Sequence, residues 1–202
     1  EIKECDWSSD VCSSDLVAKG LQLPPRLLAL VCASHDGREE HLRAATEILK
    51  TAGLTPNDLG NTADYPLDPD AHDAALRAGL HKSALQMNCS GKHSGMLATC
   101  VHNTWDRVSY LHVDHPLQQC ITDMVPELSG EEASFIGIDG CGAPAHALSL
   151  TGLAQAFRTI AIAKEGTPAA TVAYAMRTHP EMVGGPTRDI TLLIQEIGRA
   201  HV

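Results

Sequence analysis

Short apolar blocks punctuated by proline and glycine run the length of this chain. Positions 27–32 are almost continuously apolar, the pattern of a buried strand or a short core helix. Leu42, Ala45 and Leu49 return at helical spacing before Gly53, with Asp36 and Glu39 placed ahead of them like a capping box. Thr55-Pro56 and Asp68-Pro69 each open a helical turn, the second ending at Gly79. Met96, Leu97, Cys100 and Val101 line one side of a helix that opens among the small residues of 88–95. A turn at 105–109 leads into a strand over 108–113. His115-Pro116 then starts a helix with Leu117, Ile121 and Met124 on one face. Positions 135–138 form a short strand ending at Asp139. Thr151 caps a helix carrying Leu153, Ala156, Phe157 and Ile160, and Thr167-Pro168 opens another reaching about Arg177. Many helices with a few short strands predict an α+β or α/β fold, with no repeat or linker to divide it.

The two ends change the picture. One codon choice for 197–202 has a reverse complement that translates as Asp-Val-Cys-Ser-Ser-Asp, the sequence of 10–15. That nucleotide string resembles a sequencing adapter, so 1–16 and 196–202 are expected to be non-native tails around a domain at 17–195 cut from a longer frame. The formal charge of −10, still acidic without the tails, argues against nucleic acid and anionic membrane as partners. The apolar runs are too short for a membrane span. Outside the tails the cysteines are Cys32, Cys89, Cys100, Cys120 and Cys141, an odd, irregular set that predicts reduced thiols and a cytoplasmic protein rather than a disulfide framework.

The chemistry concentrates at 88–96. One helical turn brings Cys89 and Lys92 onto one face, and the helix start favours thiolate over thiol and a neutral amine over ammonium. Such a Cys-x-x-Lys suits an anion, a reactive thiol or a metal, whereas lone cysteines also read as inert buried thiols. His93 is adjacent, but its side chain is expected to point away from Cys89 and Lys92. Ser34 stands at a glycine turn beside His35 and Asp36. Three consecutive side chains do not converge, so this is no Ser-His-Asp relay, and a turn serine is the simpler reading. Two further blocks, 32–37 and 139–144, follow apolar runs that read as strands and put their polar residues at strand ends.

Taken in order, Cys-Ala-Ser-His-Asp-Gly at 32–37, Cys-Ser-Gly-Lys-His-Ser-Gly-Met at 89–96, His-Pro-Leu-Gln at 115–118, Asp-Gly-Cys-Gly-Ala-Pro at 139–144 and His-Pro-Glu-Met-Val-Gly-Gly at 179–185 resemble the L-asparaginase II family of the thermolabile rhizobial type. The resemblance implies a serine β-lactamase-like fold, incomplete here at both ends, and hydrolysis of L-asparagine to L-aspartate and ammonia by Ser–Lys acyl-enzyme chemistry. It implies catalytic Ser34, and one zinc ion on Cys89, Lys92 and Cys141, supported by Asp139 and His93. It also implies a homodimer. The family's Ser-x-x-Lys pair would fall within 1–16 and its second lysine beyond the end, so this chain is expected to lack turnover. The alternatives are another Ser–Lys amidohydrolase of similar fold and a non-catalytic zinc-binding module. Arg188-Asp189 fits a substrate-carboxylate anchor or an ordinary ion pair.

Overall fold

The computed structural model describes residues 7–199, with side chains over 13–196. Helices dominate: α1 (Trp7–Ala18), α2 (Pro25–Val31), α3 (Glu39–Thr51), α4 (Pro69–Arg77), α5 (Ser90–His102) and α6 (Pro116–Ser129) precede a hairpin of β1 (Phe135–Ile138) and β2 (Pro144–Ala147). After it come α7 (Leu150–Ala161), α8 (Pro168–Thr178), the short α9 (Pro180–Val183) and α10 (Asp189–Arg199). This is an α+β arrangement whose sheet, among the described residues, is the two-stranded antiparallel hairpin pairing Phe135 with Ala147 and Ile138 with Pro144.

Local chemistry explains most boundaries. Asp68 accepts a hydrogen bond from Ala71 N at 2.9 Å, with Pro69 opening α4. His115 Nδ1 accepts from Leu117 N at 3.1 Å before α6, which ends at left-handed Gly130. Between α3 and α4, Pro56–Asp58 forms a single 3₁₀ turn, with Asp58 returning a bond to Thr55 N.

Of the two readings of 27–32, the short core helix is the one that forms, over 27–31: Leu27, Leu28, Ala29, Leu30 and Val31 are all buried, so no polar face marks the helical period. Three expectations need correction. No strand forms at 108–113, which is a run of turns with Val108 93 % exposed. Asp36 does not cap α3, because its carboxylate is taken up by Arg38 and His41. Ser149, not Thr151, caps α7, accepting from Gly152 N at 3.0 Å.

Helix α5 is the axis of the molecule. Ser90 through Cys100 is buried throughout, enclosed by α2 and α3, with only the last turn reaching solvent. Its glycines permit this: a Cβ on Gly91 would sit 2.6 Å from Leu30 O, and one on Gly95 2.6 Å from Val31 Cγ1. Close approach of α2 thus fixes where the first turn of α5 points. No helix among the described residues is long and apolar enough to cross a membrane.

Candidate metal and active site

The first turn of α5, the turn before α3 and the β1–β2 connection meet at one point. Cys89 is the N-cap residue of α5, and its Sγ lies 3.4 Å from Ser34 Oγ. From the hairpin side come Asp139 and Cys141. The connection is tightened by Asp139 N donating to Ala143 O at 2.9 Å and Gly142 N to Asp139 O at 2.8 Å, with Gly142 at φ +91°. Thr62 holds the same loop, its hydroxyl donating to Gly140 O at 2.7 Å and its N–H to Cys141 O at 3.3 Å.

One ligand atom each from Cys89, Asp139 and Cys141 lies within 4.8 Å of the other two, a triad able to hold a metal ion. Cys89 and Cys141 are 2 % and 0 % exposed and belong to a small apolar cluster with Met87 and Ala143. Lys92, 3 % exposed, brings Nζ to 3.9 Å from Asp139 Oδ2. The structure thus gathers Ser34, Cys89, Lys92, Asp139 and Cys141.

His93 also faces this cluster, contrary to the sequence expectation, close enough that its ring opposes the rise of the Cys141 thiol. Its Nδ1 is 2.7 Å from the Tyr110 hydroxyl, which accepts from Gly60 N at 3.0 Å. Tyr110 is held in turn by Gln118, whose amide donates to Tyr110 O at 2.8 Å. The hydrogen bond to Cys89 and then burial push the Cys141 thiol well above its ordinary range, against opposing contributions from His93 and Lys92. Burial likewise raises Tyr110.

A second buried group lies beneath Ser34. His35 Nε2 is 3.0 Å from Ser90 Oγ, and His35 Nδ1 accepts from Gly37 N at 3.1 Å. Its ring stacks on His41 at 5.0 Å between centroids. His41 Nδ1 lies 3.0 Å from Asp36 Oδ1, and its Nε2 lies 3.0 Å from Glu181 O. Burial, then the nearby charge of His41, pushes His35 down to about 3, so it is neutral. Burial would raise Asp36, yet His41 and Arg38 hold it below its usual value. Arg38 continues the network to Asp68 at 2.6 Å. The block at 179–185 closes it from the far side: Asp36 N donates to Gly184 O at 2.6 Å.

Cys32 and Cys100 are buried thiols outside this cluster. Cys32 Sγ donates to Leu28 O at 3.1 Å, and burial pushes Cys100 up to about 12.

A thiol–carboxylate–amine cluster thus stands beside a serine in a helical α+β unit. The family model of L-asparaginase II matches residues 11–202, and the chain belongs to that family. Membership makes it an asparaginase-type amidohydrolase at the family level. No curated protein matches the chain.

Proposed function

We propose that this sequence belongs to a zinc-binding L-asparaginase of serine β-lactamase-like fold, which cleaves the side-chain amide of L-asparagine through an acyl-enzyme on a serine. The observation that carries this reading is the convergence of Cys89, Asp139 and Cys141 within 4.8 Å beside Ser34 Oγ. The donor set fits the ion: two sulfurs suit zinc, and a lysine amine and a carboxylate stand at the same place. Cys89, Lys92 and Cys141 would hold it, with Asp139 orienting Lys92 and His93 standing beside the Cys141 thiol. When bound, zinc supplies positive charge that stabilises both thiolates and an anionic substrate group. We place the enzyme in the cytoplasm as a homodimer.

Ser34 needs a base before it can attack an amide. Among the described residues its hydroxyl has one side-chain partner, Cys89 Sγ, and no amine. The chain by itself is therefore expected to release no ammonia from L-asparagine above a Ser34→Ala control. A protein that carries this sequence together with a lysine base for Ser34 is expected to release it, in a manner lost on Ser34→Ala. An assay of L-asparagine, L-glutamine and a chromogenic β-lactam checks this. Preference for the β-lactam would select a different Ser–Lys amidohydrolase. A second reading, a non-catalytic zinc-binding module, is selected by zinc retention without any hydrolysis in such a protein.

A further inference from the structure

We infer that His35 is a positioning residue: its imidazole clamps the turn carrying Ser34 to the first residue of α5, and so sets Ser34 Oγ against Cys89 Sγ. The inference rests on the metal-and-serine reading of that site and adds to it a residue with no contact to the proposed ligands.

Gly37 N–H donates to His35 Nδ1 at 3.1 Å, so Nδ1 is the bare nitrogen of the neutral ring. The proton therefore sits on Nε2, which donates to Ser90 Oγ at 3.0 Å. The backbone adds a parallel strap, His35 N donating to Asn88 O at 3.0 Å. Ser34 to Cys89, His35 to Ser90 and His35 N to Asn88 O are thus three contacts in register between the turn and the start of α5.

The ring is fully buried and so is Ser90. An apolar ring of equal size would leave both Ser90 Oγ and Gly37 N–H without these partners, which is costly in a dry interior. His41 backs the clamp, its ring stacked at 20° to that of His35 and anchored on Asp36 and Glu181 O. Charged groups facing this pair come from the turn (Asp36, Arg38) and from the start of α4 (Asp68), and they pair with one another or with His41.

Two readouts on the purified chain test the inference: imidazole nitrogen NMR, and zinc affinity by competition with a chromophoric chelator. His35 is expected to show a protonated Nε2 and an unprotonated Nδ1. A Gln amide nitrogen reaches the Nε2 position and an Asn only the Nδ1 position. His35→Gln is therefore expected to bind zinc close to wild type, whereas His35→Asn and His35→Phe bind about ten- to a hundredfold more weakly. A space-filling role predicts the opposite order, with Phe tolerated and Gln not. A proton on Nδ1, or Asn and Phe variants that bind as tightly as wild type, overturns the inference while leaving the metal site standing. A wild-type chain that binds no zinc overturns the metal reading and this inference with it. Should Asn and Phe fail to fold, the tautomer of the wild type and the affinity of the Gln variant decide.

Discussion

Replacing Asp15 by Asn is expected to stabilise the protein at neutral pH and to leave it nearly unchanged near pH 4. Asp15 is 1 % exposed in α1, and among the described residues neither carboxylate oxygen has a hydrogen-bond partner. Burial pushes its pKa from 3.8 to about 8. Lys19 opposes the rise, while Glu127 and Asp123 add to it. Between those two values the folded state holds a proton that the unfolded chain has released. Stability is therefore fully present below about pH 4 and is lost as pH rises toward 8. The loss by pH 7 is about 4 kcal/mol, several times a typical surface substitution. Asn keeps the shape without the titration, so the urea midpoint should rise at pH 7 and hardly move at pH 4. An equal shift at both pH values contradicts the assignment.

The second large effect concerns the thiols. Cys89→Ser and Cys141→Ser are each expected to weaken zinc binding by at least about a hundredfold, roughly 3 kcal/mol, because a neutral hydroxyl replaces a thiolate ligand. Cys100→Ser, at a buried cysteine outside the cluster, is expected to leave zinc affinity unchanged. Chelator competition on the three variants separates a specific site from general thiol binding. Equal affinities across all three would place the metal elsewhere.

How far the site could be read from the sequence depended on distance along the chain. Cys89 and Lys92 share a helical turn, so spacing alone joined them. Nothing local joins either to Asp139 and Cys141, which arrive on the β1–β2 loop, and there the family resemblance supplied the pairing. Tyr110 and His41 gave no signal, because their partners lie 50 and 140 residues away, at Gly60 and Glu181. His35 stood next to Ser34 in the sequence, yet its role depends on Ser90, 55 residues on. The fold was legible where proline, glycine and capping residues punctuate it, as at α4, α6 and α8. It was ambiguous between strand and helix where burial is complete, as in α2, and was not legible where β-propensity is low, as in the alanine-rich β2.

The measurement that bears most directly on the metal centre is X-ray absorption at the zinc edge of the loaded wild-type chain. Two sulfur neighbours at about 2.3 Å with nitrogen or oxygen at about 2.0–2.1 Å are predicted, with one sulfur lost in Cys141→Ser. A shell of nitrogen and oxygen alone, unchanged by that substitution, would contradict the site.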